Sequence, residues 1–235
     1  MSKTIVISGG AKGLGKAIAL KFGEGGFNVA VCGRAIADLV LFEKEFKSQF
    51  ANSEVLVFQA DLKNEAEAKA FAAATMKKFG TIDVLVNNAG TYVGGSICTE
   101  EAGILEHLIE TNLYSAYYLT RALLPSMRDL QSGHIFNMCS VASILAYPNG
   151  GSYSISKFAL LGFSKSLREE LKNEGIKVTS LLPGATWSDS WAGVDLPADR
   201  IMPASDIAEV IWSAYHLSKT GVVEEIVIRP QLGDL

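Results

Sequence analysis

The sequence predicts an α/β fold in which helices cover both faces of a parallel, doubly wound, seven-stranded sheet. Three observations carry that expectation. Short β-branched runs alternate with longer helical patterns along the chain, with no hairpin signals between them. Most of the runs are almost continuously apolar, as strands covered on both sides are. The first run leads into a glycine-rich turn that opens a helix, the Rossmann-type arrangement.

The elements follow in order. The run Thr4-Ile5-Val6-Ile7-Ser8 is the first strand, and the glycine-rich turn leads into a helix near 14–24. Strands are then expected at 28–32, 54–59, 84–87, 134–138, 177–182 and 225–228. Helices are expected near 36–50, 64–79, 100–128, 152–173 and 205–218. Asn64 and Ser205 stand where N-caps fall, and Gly80 and Gly175 each close a helical stretch. No Pro/Gly/Ser linker, repeat or low-complexity block divides the chain, so residues 1–235 read as one domain. The last residues, 231–235, read as a loose tail or a small docking segment.

Composition excludes several classes. Of the 235 residues, 49% are hydrophobic and 20% charged, which is incompatible with intrinsic disorder. The net charge of −4 argues against a phosphate-tracking nucleic-acid binder. Cys32, Cys98 and Cys139 form no C-x-x-C pair, and His107, His134 and His216 lack ligand spacing, so no metal site is expected. The start of the chain has no signal-peptide core, and no apolar run reaches the ~18 residues of a membrane helix. The expectation is a soluble, cytoplasmic protein with no membrane partner.

The segment Ser8-Gly9-Gly10-Ala11-Lys12-Gly13-Leu14-Gly15 carries the first chemistry. Gly9, Gly13 and Gly15 let the backbone turn tightly and approach a phosphate, and the helix beyond offers unpaired N–H groups. A rival reading is a P-loop, since Gly10 to Lys16 matches its first seven positions. The eighth is Ala17, where a hydroxyl must hold magnesium, and no metal-binding Asp ends a later strand. Within the dinucleotide reading, Gly33 stands where an acid would hold the ribose 2′-hydroxyl of NAD, and Arg34 follows it. A guanidinium binds a 2′-phosphate in two-pronged fashion, and Lys12 adds a second positive charge. NADP(H) is therefore expected over NAD(H).

Tyr153 and Lys157 lie four apart on a predicted helix and share one face. A free phenol titrates near ~10, too high for proton transfer at neutral pH, and a nearby ammonium lowers that value. Ser140, at a strand end, can hydrogen-bond a substrate carbonyl oxygen. Cys139 beside it reads as a small packing residue.

With these motifs in hand, the chain resembles the short-chain dehydrogenase/reductase family from Thr4 to about Ile228. The family's T-G-x-x-x-G-x-G turn stands as Ser8 to Gly15, with Ser for Thr. Its N-N-A-G stretch is Asn87-Asn88-Ala89-Gly90, its helix asparagine is Asn112, and its serine–tyrosine–lysine trio is Ser140, Tyr153 and Lys157. Its P-G motif is Pro183-Gly184, with Ser188 where threonine is common, and Asp61, followed by Leu62, stands near the adenine position. The resemblance implies hydride transfer between nicotinamide and a carbonyl or alcohol carbon. Tyr153 would be the proton donor and Ser140 the oxyanion partner. Lys157 would hold the ribose and lower the pKa of Tyr153, and Asn112 would support a water chain. The backbone after Pro183-Gly184 would hold the carboxamide, with Thr186 and Ser188 close by.

The resemblance also places substrate specificity in residues 91–98, 141–152 and 185–204. The third segment is apolar, with Trp187, Trp191, Val194, Leu196 and Met202, and suits a moderately hydrophobic carbonyl compound. Its acids Asp189, Asp195 and Asp199 offer no clear site for an anion. The ending Glu225 to Gln231 departs from the V-N-G-G pattern of 3-oxoacyl-carrier-protein reductases, which weakens that alternative. A further alternative is a non-catalytic NADP(H)-binding sensor or scaffold. The expectation is an NADPH-dependent carbonyl reductase, a homodimer or homotetramer by family resemblance, built partly on the helices at 100–128 and 152–173.

Overall fold

The computed structural model describes residues 2–188, 191 and 193–235, so Asp189 of the substrate segment lies outside the described residues. Seven strands form the sheet: β1 (Thr4–Ser8), β2 (Asn28–Gly33), β3 (Val55–Gln59), β4 (Val84–Asn87), β5 (Gly133–Met138), β6 (Ile176–Pro183) and β7 (Glu225–Ile228). Their order is β3-β2-β1-β4-β5-β6-β7 and every pairing is parallel. The order reverses direction between β1 and β4, which opens a crevice at the carboxyl ends of the strands. The expected α/β architecture is thus the observed one.

The central strands are mostly apolar because both faces are covered. One face packs Ile5, Ile7, Val29 and Val31 against Phe22, Phe46 and Ile211. The other packs Val6, Ala30, Leu85 and Ile135 against Phe71, Leu123 and Leu171. Alternate residues of one strand therefore enter opposite cores, which fixes the register of the central strands.

The helices are α1 (Gly13–Glu24), α2 (Ile36–Gln49), α3 (Glu65–Phe79), α4 (Ile104–Ile109), α5 (Ser115–Leu130), α6 (Gly151–Leu171) and α7 (Ala204–Tyr215). Asn64 caps α3, its side chain accepting from the Ala66 N–H at 2.9 Å. Ser205 does not cap α7. The cap position is Pro203, in extended backbone, because the chain arrives there from a bridge between Thr186 and Met202 and turns at once into the helix. The helix expected from residue 100 begins only after Gly103, whose φ of 92° is open to glycine at little cost. It also changes winding: Glu110–Tyr114 forms a π turn between α4 and α5. No helix of the described residues is long and apolar enough to cross a membrane.

Candidate active site

The glycine-rich turn is held from behind. The Ser8 hydroxyl accepts the backbone N–H groups of Asn88 (2.9 Å) and Ala89 (2.8 Å), and Asn88 Nδ2 donates to the carbonyls of Ser8 (2.9 Å) and Gly9 (3.1 Å). Two distant motifs are thereby tied into one crevice wall. Gly9 and Gly13 have φ of +64° and +54°, the left-handed region that glycine enters freely. A Cβ on Gly15 would lie 2.3 Å from the Gly9 carbonyl oxygen, so Gly15 closes the turn onto the helix. Sequence reasoning passed over Gly10, where a Cβ would lie 2.4 Å from Val31; that contact joins residues 21 apart and leaves no local signal.

The turn opens onto a groove of about 330 Å³. Gly9, Lys12, Gly13, Leu14, Arg34, Asp61, Leu62, Asn88, Ala89, Gly90 and Ser188 of the expected cofactor residues line it; Ser8 and Gly15 shape it from behind. A dinucleotide fits these residues. The cap residue of α1, Lys12, makes no side-chain cap bond, and a Cβ on Gly13 would meet nothing nearer than Ser188 at 3.9 Å, so there is open space beside the start of the helix for a phosphate. Cations and anions mix at the end of the groove lined by Arg34, Asp38 and Asp61. Lys12 lies 3.8 Å from Asp38 and Lys63 lies 3.7 Å from Asp61. Asp38 was not foreseen: it lines the groove from the first turn of α2, one turn beyond Arg34. Asp61 has a second task, accepting the Lys63 N–H at 3.2 Å in the turn before α3.

A second cavity of about 590 Å³ adjoins the first, and Leu14, Asn88, Gly90 and Ser188 line both. Ser140, Tyr153 and Lys157 meet on its wall, brought there by the end of β5 and the first two turns of α6. Burial pushes the Tyr153 phenol above its ordinary value, and the Ser140 hydroxyl pulls it part of the way back. Lys157 is buried, and desolvation lowers its ammonium to about 8. Its Nζ donates to the Met138 carbonyl at 2.8 Å and stands 5.8 Å from the Tyr153 ring centroid. Burial is therefore the largest influence on Tyr153 in this structure.

Asn112 is fully buried in the π turn. Its Oδ1 accepts the Thr91 N–H (2.7 Å), and its Nδ2 donates to the Thr91 carbonyl (3.1 Å) and the Ser156 hydroxyl (2.9 Å). Ser156 in turn donates to the Tyr153 carbonyl at 2.7 Å. The side chain is therefore spent on fixing the loop after β4 to the helix that carries Tyr153. A π turn at such a place is a recurrent feature of functional sites.

Each expected substrate segment reaches the larger cavity: Thr91 and Tyr92 from the first, Val141, Leu145 and Tyr147 from the second, Trp191 and Val194 from the third. Trp187 and Met202 do not line it. Trp187 turns its indole N–H to the Ala198 carbonyl at 3.0 Å, and Met202 is buried in the core. The Tyr92 ring sits edge-on to Tyr153 at 4.9 Å, and burial together with Tyr92 raises the Tyr147 phenol. Of the two readings of residues 231–235, the small docking segment matches the contacts, since Asp234 and Leu235 line the cavity beside Arg229. No local pattern announced these three, because their place depends on the β6–β7 pairing.

Comparison with known proteins agrees with this geometry. Residues 3–196 match the family model of the short chain dehydrogenases. A sepiapterin reductase of Chlorobaculum tepidum is 32% identical over 244 residues, spanning 100% of this chain and 99% of that protein. An alcohol dehydrogenase of the archaeon Thermococcus sibiricus, solved with 5-hydroxy-NADP, superposes with a TM-score of 0.90 at 25% identity, covering 98% of this chain and 97% of that one. A metagenomic short-chain oxidoreductase in complex with NADP gives 0.84 at 30% identity, with 97% of each chain covered. With its doubly wound sheet and the match over most of its length, the chain belongs to the short-chain dehydrogenase/reductase family of oxidoreductases.

Proposed function

We propose that this protein is an NADPH-dependent reductase of small, moderately hydrophobic ketones or aldehydes. The observation that carries the reading is the position of Tyr153 and Ser140 on the wall of a 590 Å³ cavity that adjoins the glycine-lined groove. The bound nicotinamide supplies the hydride. Tyr153 gives its hydroxyl proton to the carbonyl oxygen, and Ser140 donates a hydrogen bond to that oxygen as its charge grows. Lys157, with one donor spent on Met138, turns its remaining donors to the ribose. Asn112 keeps Thr91 and α6 in place. Arg34 and Lys12 hold the 2′-phosphate, and the segment from Pro183 to Ser188 borders the carboxamide.

The apolar stretch of the cavity, with Tyr92, Leu145, Tyr147, Trp191 and Val194, supports a substrate that is partly hydrophobic. The Chlorobaculum relative makes sepiapterin the first compound to try. Exposed Leu105, Tyr114, Tyr117, Ile155 and Phe158 on α4 to α6 and the π turn support a homo-oligomer. The test is calorimetric titration with NADPH and NADH, followed by NADPH-oxidation assays with sepiapterin, ketones, diketones and aldehydes. Tight NADPH binding with turnover of a carbonyl compound is expected. Binding without turnover across the panel would return the protein to the sensor class, and preference for NADH would overturn the role given to Arg34.

A further inference from the structure

The residues that follow β7 turn back across the larger cavity. Asp234 Oδ1 accepts the Ala185 N–H at 3.2 Å, and Asp234 Oδ2 accepts two donors of Arg229, at 2.7 Å and 2.6 Å. Arg200, from the substrate segment, donates to the carbonyls of Gly233 (2.9 Å) and Asp234 (3.2 Å). Gly184 accommodates this closure: a Cβ there would lie 2.1 Å from Asp234 Oδ1 and 3.2 Å from Pro230. One aspartate thus joins the exit of β6, the exit of β7 and the substrate segment.

The segment it touches is tied at both ends, to β7 and to Met202, and the Asp234 carboxylate takes the Ala185 N–H between them. Beyond β6, the Gly184 N–H donates to the Ile228 carbonyl at 2.8 Å, the Thr186–Met202 bridge pairs the Met202 N–H with the Ala185 carbonyl (3.1 Å) and the Trp187 N–H with the Met202 carbonyl (2.8 Å), and the Trp187 indole reaches the Ala198 carbonyl at 3.0 Å. A hydrogen bond to an ionised carboxylate is roughly twice as strong as a neutral one. Loss of it would leave the Ala185 N–H without that partner at the edge of the cavity.

We propose that Asp234 is a positioning residue, and that the segment after β7 acts as a clamp setting the place of residues 184–188 against Tyr153. This deepens the reductase reading and rests on it for its kinetic consequence. Structurally it concerns only this chain's own contacts.

The test compares the wild-type protein with Asp234→Ala, Asp234→Asn and Arg200→Ala. Hydrogen–deuterium exchange of residues 184–188 is measured without ligand, together with kcat, KM and the Kd for adenosine 2′,5′-bisphosphate, which probes the Arg34 end alone. Asp234→Ala should speed exchange about tenfold in that segment and not elsewhere, and lower kcat by about tenfold through misplacement, with the bisphosphate Kd unchanged. Asp234→Asn keeps an acceptor for the Ala185 N–H and should recover most of kcat. Arg200→Ala should loosen the segment in the same direction, by less, and serves if Asp234→Ala fails to fold.

Wild-type exchange at 184–188 in Asp234→Ala would overturn the clamp. If KM alone then rose, Asp234 would be a direct substrate contact instead. Faster exchange with unchanged kcat would also overturn it, leaving only a structural tie. A wild-type protein that neither binds NADPH nor turns over would sink the reductase reading, and the exchange arm would still decide the clamp.

Discussion

Asn112 and Thr91 grip each other by reciprocal hydrogen bonds, the Thr91 N–H to Asn112 Oδ1 at 2.7 Å and Asn112 Nδ2 to the Thr91 carbonyl at 3.1 Å. The pair fastens the loop after β4 to a π turn, and through Ser156 to the backbone of Tyr153. Asn112→Ala leaves these buried groups unpaired. It should cost about 1–3 kcal/mol of stability and lower kcat more than NADPH affinity. Urea denaturation and steady-state kinetics check this; an unchanged denaturation midpoint would show that water replaces the amide without loss.

Tyr153→Phe removes the proton donor and nothing else of the cavity wall. Reduction should fall about 10²–10⁴-fold, while calorimetry should find the cofactor Kd nearly unaltered. A rate close to wild type would take the proton-donor role from Tyr153.

The pH profile follows from the same tyrosine. The neutral phenol is the form that gives a proton, and burial raises its pKa, so reduction should stay level with respect to Tyr153 through the neutral range. Oxidation of the product alcohol needs the phenolate and should climb with pH. Lys157, lowered to about 8, loses its charge first, so cofactor affinity should weaken as pH passes that value. Tyr153→Phe should keep this affinity limb. If the limb vanished in that variant, its assignment to Lys157 would be wrong.

Cofactor choice turns on Arg34 and its neighbour Asp38. Arg34→Asp should weaken NADPH by tenfold or more, given roughly 1.5–3 kcal/mol for a charge-assisted bond, and NADH far less. Asp38→Asn should tighten NADPH, because it removes an anion that faces the same groove and lies 3.8 Å from Lys12. Paired titrations with NADPH and NADH measure both; an equal loss of the two cofactors in Arg34→Asp would show that this arginine does not read the 2′-phosphate.

Two glycines of one turn should fail differently. Gly13→Val places a branched side chain at φ +54° facing the open groove, and should mainly abolish cofactor binding. Gly15→Ala drives a methyl to 2.3 Å from the Gly9 carbonyl oxygen and should lower thermal stability as well. Melting curves with and without NADPH separate these outcomes, and equal melting temperatures for both variants would contradict the turn geometry.

Acid should unfold the protein partly through His134. The Thr179 hydroxyl donates to the Val223 carbonyl at 2.6 Å, so it accepts from His134 Nε2 at 2.7 Å, leaving buried Nδ1 without a partner. Burial, with Lys177 adding to it, lowers this imidazole to about 3 from an ordinary 6.5. The unfolded chain binds the proton more readily between those values, so stability should decline as pH falls from 6.5 toward 3. His134→Gln should flatten that decline in pH-dependent denaturation. An unchanged slope would place the acid lability in other groups.

The sequence by itself determined the strands, the burial of the central ones on two faces, the glycine-rich turn and the placing of Tyr153 and Lys157 on one helix face, while Ser140 joined them through the family resemblance. These are local patterns: a period of two or of 3.6, a glycine at a tight turn, two residues one helical turn apart. It also carried the capping of α3 by Asn64, since that side chain reaches only to Ala66. The tertiary structure alone decided what depends on distant segments meeting. Gly10 answers to Val31, Asn112 to Thr91 and Ser156, and Asp234 to Ala185 and Arg229. The start of α7 at Pro203 and the turning of Trp187 away from the cavity were set in the same way, by the bridge between Thr186 and Met202 and by the Ala198 carbonyl. A burial pattern records that a residue is inside; only the pairing of β6 with β7 brings Arg229, Asp234 and Leu235 to the cavity that Tyr153 also lines. The raising of Tyr153 is of the same kind, because the desolvation that drives it comes from the assembled cavity.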